Sequence, residues 1–143
     1  MSAHRHKSRQ FALQMLFEWD MARNDPQLMK KRFWRTPAPH YAVDTMAFAN
    51  KLFDGTVENA AEIDALVASL SSNWRMDRLA PVDRNILRLA IHEIREADPD
   101  VPPKVAIDEA LELAKEFSSE ESPAFLNGVL DAARKKLHAE SSN

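Results

Sequence analysis

Glycine most limits what this chain can fold into, because only Gly55 and Gly128 occur among 143 residues. Average usage would give roughly ten glycines in a chain of this length. Tight β-hairpins and phosphate-binding loops need glycine where the backbone φ angle is positive. We therefore expect no β-barrel, β-sandwich, P-loop or Rossmann turn, and we predict an all-α fold.

Apolar residues recur at intervals of three and four, which predicts about six to seven helices separated by loops that contain proline. We place the helices and one short turn at 8–24, 26–35, 41–70, 76–79, 81–97, 104–118 and 123–138. A loop is expected at 36–40. Gly55 lies inside the third helix, where it marks either a kink or a close helix crossing.

The helical pattern suggests a simple domain organisation. We expect a flexible basic arm at 1–8, a single helical domain at 9–138 and a disordered tail at 139–143. The first residues form no apolar signal segment, and no stretch approaches 18 consecutive apolar residues. We therefore expect a cytoplasmic protein with no membrane partner.

Residues that could carry catalysis are scarce. The chain has no cysteine, which excludes disulfides, thiolate zinc sites and cysteine nucleophiles. His92-Glu93 is not followed by the second histidine of a zinc protease, and no G-x-S-x-G motif occurs. Acid pairs such as Glu109 and Glu112 are adequately explained as exposed helix faces. We expect no enzymatic activity, no metal site and no cofactor.

Basic residues are concentrated at the N-terminal end of an otherwise acidic chain. Residues 1–40 contain eight Lys or Arg against three Asp or Glu, and residues 41–143 contain eleven against nineteen. Arg5, Lys7 and Arg9 lie within the first ten residues, where no acidic residue occurs. Such an asymmetry is typical of a polyanion-binding end, although short basic N termini are also common without any function.

The first helix offers a second sign of nucleic-acid binding. On a helical wheel, Phe11, Met15 and Trp19 share the arc that should be buried, whereas Phe17 lies outside it near Gln14. Single-stranded RNA is bound by cations, by flat side chains on which bases stack and by amides that read base edges. The pattern fits an RNA-stacking site, and it fits equally well the packing of Phe17 against another helix.

Four segments of the sequence resemble the NusB family of bacterial transcription antitermination factors. They are SRQFALQMLFEWD (8–20), LAPVDRNILRLAIHEI (79–94), VAIDEALELAKEF (105–117) and SPAFLNGVLD (122–131). The resemblance implies two small helical bundles packed together. It also implies binding to single-stranded boxA RNA of ribosomal RNA leader transcripts, jointly with the ribosomal protein NusE, within the RNA polymerase antitermination complex. Some members of the family form homodimers.

The resemblance also implies roles for individual residues. The RNA-binding positions of the family fall on Arg5, His6, Lys7, Arg9, Gln14, Phe17, Lys104, Glu121 and Phe125. The NusE-facing positions fall on Asp83 and Arg84. A glycine-containing turn is more usual where this chain has FSSEES before the last helix. Gly128 is expected to permit the close approach of a helix or of RNA near Phe125.

Two alternative functions remain at this stage. A helical protein-interaction scaffold without RNA binding would use the acidic body as its surface, and the basic arm would be incidental. A similar helical module also occurs fused to ribosomal RNA cytosine methyltransferases, but two glycines in 143 residues leave no space for a Rossmann-like cofactor site.

Overall fold

The computed structural model describes residues 2–35 and 42–141, and this part of the chain contains α-helices, one 3-10 turn and no strand. The all-α prediction is confirmed. The helices are α1 (Ser2–Ala22), α2 (Pro26–Arg35), α3 (Val43–Leu70), α4 (Pro81–Glu96), α5 (Pro103–Phe117) and α6 (Ser122–Ser141), and the turn is Met76–Arg78. None of the described helices has the length and apolar character required to cross a membrane.

The helices form two groups of three, as the predicted pair of bundles requires. Helices α1, α2 and α3 pack against one another, and so do α4, α5 and α6. Helix α4 joins the groups because it also packs against α1 and α3. Its neighbour α1 runs antiparallel to it, since Arg9 pairs with Glu93 at one end and Asp20 pairs with Arg84 at the other.

Helix α4 is the centre of the fold, and every residue from Asn85 to Ile94 is buried. Three of the buried side chains are ionisable: Arg88, His92 and Glu93. Arg88 donates hydrogen bonds of 2.9 and 2.8 Å to the two carboxylate oxygens of Asp64 on α3. Buried charges need such partners, and the pairing with Asp64 is what allows Arg88 to lie in the interior.

The two glycines have different environments, although both lie within helices. A Cβ atom on Gly55 would overlap the imidazole ring of His92, so of the two alternatives for Gly55, a kink or a close helix crossing, the structure supports the crossing and shows that it is with α4. A Cβ atom on Gly128 would meet no described atom within 4 Å. The expectation that Gly128 permits close helix packing is therefore wrong, whereas the approach of an external partner stays a prediction.

Glycine is not used to end the described helices. The left-handed backbone region is occupied by Arg23, with φ 56°, after α1, and by Ala97, with φ 53°, after α4. Before α6 the chain turns without positive φ, and Ser118 adopts an extended conformation. The hydroxyl of Ser122 lies 2.8 Å from that of Ser118. Side-chain hydrogen bonds thus replace the expected glycine turn.

The ends of the chain differ from the predicted organisation. Helix α1 begins at Ser2 rather than at residue 8, so residues 2–7 continue a helix instead of forming a separate arm. The Ser8 hydroxyl donates a 2.8 Å hydrogen bond to the carbonyl of Thr45 and fixes this end against α3. Helix α6 continues past 138 to Ser141, because no helix-breaking residue intervenes. The predicted loop at 36–40 and residues 142–143 lie outside the described residues.

Candidate nucleic-acid interface

Arg9, one of the residues expected to contact RNA, is directed into the fold. Its side chain is only 3% exposed, and its Nε and Nη2 donate hydrogen bonds of 2.7 and 2.8 Å to the carboxylate of Glu93. The carboxylate of Glu109 on α5 lies 4.0 Å from its Nη1. Because this guanidinium is desolvated and already paired, the expectation for Arg9 is corrected: it joins helices α1, α4 and α5.

His6 is also engaged by carboxylates of α5. Its Nδ1 lies 2.8 Å from Glu109 Oε2, and its Nε2 lies 2.6 Å from Glu116 Oε1. The side-chain amide of Gln10 donates a 2.7 Å hydrogen bond to the other oxygen of Glu116. We call these four residues the α5 clasp. Both ring nitrogens can donate to carboxylates only when the imidazole is protonated, so the clasp favours the charged form of His6.

The pKa of His6 reflects this arrangement. Desolvation by burial is the largest single influence and lowers the pKa, but the hydrogen bonds and negative charges of Glu109 and Glu116 together outweigh it. The pKa is therefore raised above its ordinary value of 6.5. The positive charge of His6 is compensated within the fold, which leaves less of it for an RNA phosphate.

Changing His6 to Gln is expected to remove a stabilising contribution that depends on pH. This contribution is fully present below pH 6.5 and is lost as pH rises through the raised folded-state pKa. The melting temperatures of wild-type and variant proteins should therefore differ more at about pH 5.5 than at about pH 8.5. His92, whose pKa is lowered chiefly by burial, titrates alike in both proteins and cancels from this difference. A difference that stays constant with pH contradicts a protonated clasp.

Arg5 and Lys7 lie on aromatic rings and are partly exposed. The guanidinium carbon of Arg5 is 3.7 Å from the ring centre of Phe48 on α3, and Lys7 Nζ is 5.2 Å from that of Phe11. Cation–π contacts of this kind hold a side chain in place without neutralising its charge. These two residues therefore place positive charge at the start of α1.

Gln14 and Phe17 lie on the surface further along α1. Gln14 is exposed, and the Phe17 side chain is 38% exposed, whereas Met15 and Leu16 beside them are fully buried. Met21, one turn beyond Phe17, is 58% exposed. The wheel therefore separated the buried and open faces of α1 correctly. Phe17 has only part of its ring against the protein, and the remainder is open to a ligand.

Asp83 and Arg84, the expected partner-binding residues, make intramolecular contacts at the start of α4. The carboxylate of Asp83 accepts hydrogen bonds of 2.6 and 3.0 Å from the hydroxyls of Ser118 and Ser122. Arg84 donates to the buried carboxylate of Asp20. Both side chains remain partly exposed. Their first role is to join α4 to the start of α6 and to the end of α1.

The remaining expected site residues lie on α5 and at the start of α6. Lys104 is in the first turn of α5, after the loop that follows α4. Glu121 and Phe125 flank Ser122, which donates a hydrogen bond to Asp83 at the start of α4. Glu121 and Lys104 are exposed, and Phe125 is half-buried against the core. Ten residues of helix separate Lys7 from Phe17, a length of about 15 Å.

Sequence reasoning missed the acidic partners of the basic arm. Glu109 was assigned to an exposed face, but its side chain is 20% exposed and approaches both His6 and Arg9. Glu109 and Glu116 are seven residues apart, two helical turns, which places them on one face of α5. That spacing was a usable signal, but it does not identify which helix packs there. No group of three or more His, Asp or Glu in the described residues could hold a metal ion.

Comparisons with known proteins agree with the resemblance. The model of the NusB family matches residues 6–135. Transcription antitermination protein NusB of Solibacter usitatus (strain Ellin6076) is 43% identical over 135 residues, which cover 94% of this chain and 91% of the relative. The protein of the same name from Koribacter versatilis (strain Ellin345) is 43% identical over 136 residues, covering 95% of this chain and 92% of the relative.

Solved structures also match along almost the whole chain. In the crystal structure of antitermination factors NusB and NusE in complex with dsRNA, one chain matches with a TM-score of 0.83 and 29% identity. The match covers 95% of this chain and 99% of that chain. NusB of T. maritima matches with a TM-score of 0.80 and 34% identity, covering 92% and 91%.

Proposed function

The chain belongs to the NusB family, and on that premise we propose that it is a non-enzymatic, RNA-binding transcription antitermination factor. The observation that carries the proposal is the nearly full-length match to a chain in the complex of NusB, NusE and dsRNA. The relatives matched are transcription antitermination proteins.

The surface of α1 supports RNA as the ligand. Arg5 and Lys7 supply positive charge at one end, and Gln14 and Phe17 follow on an open face. These are the groups that single-stranded RNA requires: cations for phosphates, an amide for base edges and a ring for stacking. Lys104, Glu121 and Phe125 are proposed to extend this surface. Arg9 supports the site from within, by holding α1 against α4.

We extend the proposal to the partners of the family. The RNA is a boxA element of a ribosomal RNA leader transcript, bound jointly with NusE. The protein acts within the RNA polymerase antitermination complex and hence in the cytoplasm. Asp83 and Arg84 are proposed as part of the NusE-facing surface, where their contacts with α6 and α1 keep the start of α4 rigid.

Replacing Phe17 by Ala is expected to weaken binding of single-stranded boxA-like RNA by about 1–3 kcal/mol, the usual loss when a stacked base loses its aromatic partner. The melting temperature should fall only modestly, because Phe17 is 38% exposed and only part of its apolar surface is buried. Met21→Ala is the matched control, since Met21 lies on the same helix and is more exposed. Fluorescence anisotropy with labelled RNA measures the affinities.

Two other outcomes would contradict the stacking role. If Phe17→Ala keeps its RNA affinity but loses NusE binding, the ring belongs to the protein-partner surface. If the variant melts at lower temperature and binds RNA normally, the ring serves the core. A wild-type protein that binds NusE but no RNA would favour the interaction-scaffold alternative.

A further inference from the structure

Helix α2 carries a concentration of positive charge that the proposed RNA surface on α1 does not use. Its ten residues, Pro26–Arg35, include four Lys or Arg and no Asp or Glu. Lys31, Arg32 and Arg35 are exposed, together with Gln27 and Leu28. Positions 27, 31 and 35 follow one line along the helix, and 28 and 32 lie beside it. The three cations therefore share the outward face of α2.

The opposite face of α2 accounts for its attachment to the fold. Met29 is buried, and Lys30 Nζ lies 2.8 Å from the carboxylate of Asp54 on α3. The indole nitrogen of Trp34 donates a 2.8 Å hydrogen bond to Asn50 of α3. The charge of Lys30 is thus compensated, whereas Lys31, Arg32 and Arg35 form no ion pair with any residue in the described ranges 2–35 and 42–141.

The stability of α2 does not explain these three cations. Lys31 and Arg35 are four residues apart and Arg32 and Arg35 are three apart, spacings at which like charges destabilise a helix. Arg32 and Arg35 lie in the last turn, where the helix dipole favours a cation. That effect offsets part of the repulsion but does not compensate three positive charges on one face. A bound polyanion would compensate them.

The cationic face of α2 is continuous with the positive end of α1. Phe33 and Trp34 each pack edge-on against Phe11 of α1, with ring centres 5.9 and 5.2 Å away. Lys7 lies over the same Phe11 ring. We call Phe11, Phe33 and Trp34 the aromatic junction. It fixes the last turn of α2, and with it Arg35, next to the part of α1 that carries Lys7.

We propose that α2 is a second phosphate-binding surface for the RNA bound by α1, and this proposal rests on the proposed function. Lys31, Arg32 and Arg35 contact the RNA backbone beyond Lys7 and read no base. The charge distribution favours RNA as the ligand of α2. Residues 41–143 carry eleven Lys or Arg against nineteen Asp or Glu, so this part of the chain repels a polyanion and leaves α2 as the surface onto which the RNA can continue. Because the aromatic junction holds α2 beside α1, an RNA strand bound to α1 can continue onto α2.

The test compares two triple variants with the same change in net charge. Lys31→Gln, Arg32→Gln and Arg35→Gln remove the proposed surface. Arg75→Gln, Arg78→Gln and Lys135→Gln form the control, because those cations are exposed and lie just before the 3-10 turn, within it and on α6. Each protein is titrated with a short boxA-like RNA and with an RNA twice as long, at several salt concentrations.

For the longer RNA, the α2 variant should bind about 100-fold more weakly than wild type at about 0.1 M salt, and its salt slope should be shallower by about 2. The short RNA should be affected less, because it ends before it reaches α2. The control should bind like wild type. Arg32→Gln alone should reduce the slope by about 0.7, and it remains informative if the triple variant folds poorly.

The results separate this inference from the proposed function. Wild-type protein that binds neither RNA overturns both. Wild-type protein that binds both RNAs, with the α2 variant matching the control in affinity and slope, overturns the second surface alone. Vesicles of phosphatidylcholine with phosphatidylserine test a membrane as occupant. A variant that loses only vesicle binding also overturns the RNA assignment of α2.

Discussion

Replacing Arg9 by Met is expected to lower the free energy of unfolding by about 3–5 kcal/mol, the cost of removing one partner from a buried ion pair. The reason is the carboxylate left behind. Glu93 is 5% exposed and receives both of its short hydrogen bonds of 2.7 and 2.8 Å from Arg9. Without the guanidinium, a charged group remains in a desolvated position between α1 and α4.

Chemical denaturation monitored by circular dichroism measures this effect. The double variant Arg9→Met, Glu93→Met is the matched control, because it removes both charges and keeps bulky side chains in the interior. It should recover much of the lost stability, since apolar replacement of a whole buried pair is often close to neutral. An Arg9→Met protein that unfolds like wild type would contradict the buried pair.

This prediction also bears on RNA binding. A loss of RNA affinity in Arg9→Met would arise because α1 is no longer held on α4. Lys7→Met provides the comparison, since Lys7 is on the same helix, is partly exposed and lies over Phe11. Lys7→Met should weaken RNA binding and leave the free energy of unfolding nearly unchanged.

The sequence predicted the helices well because their signals are local. Proline at the start of α2 and α4, with apolar residues at intervals of three and four, located those helices to within a residue or two. The side chain of Asp25 accepts a hydrogen bond from the backbone of Gln27, as an N-cap should. The start of α1 was misplaced because the contacts made by its first turns are long-range in sequence, such as that of His6 with Glu109, 103 positions away.

The exposed part of the candidate site was also predictable, whereas its charged interior was not. A helical wheel distinguishes Phe17 from the buried face because that difference depends only on spacing along one helix. The environment of Arg9 and His6 depends on which helix lies opposite. A charged residue is exposed far more often than it is buried, so the sequence places Arg9 and Glu109 on the surface and gives no reason to pair Arg9 with Glu93.

Glycine scarcity illustrates both cases. It correctly excluded β architectures, because that inference depends only on the need of tight hairpins for glycine at positive φ. It did not distinguish Gly55, which makes room for His92, from Gly128, whose missing side chain faces open space. Only the packing of α3 on α4 separates the two.

The second large effect is expected in RNA binding itself. If three to five phosphates are contacted by the surface of α1 and α5, the logarithm of the binding constant should fall with the logarithm of salt concentration at a slope of roughly −2 to −3.5. Between about 50 and 200 mM salt, that slope lowers the affinity about 20- to 130-fold. The rest of the chain is acidic and offers few other binding sites to a polyanion, so the salt dependence should report on the proposed surface.

The measurement that tests the central claim most directly is the affinity for a boxA-like RNA across that salt range, with and without NusE. We predict a salt-sensitive affinity that NusE increases strongly at every salt concentration. A flat salt response, or an affinity that NusE leaves unchanged, would contradict an RNA-binding antitermination factor that acts jointly with NusE.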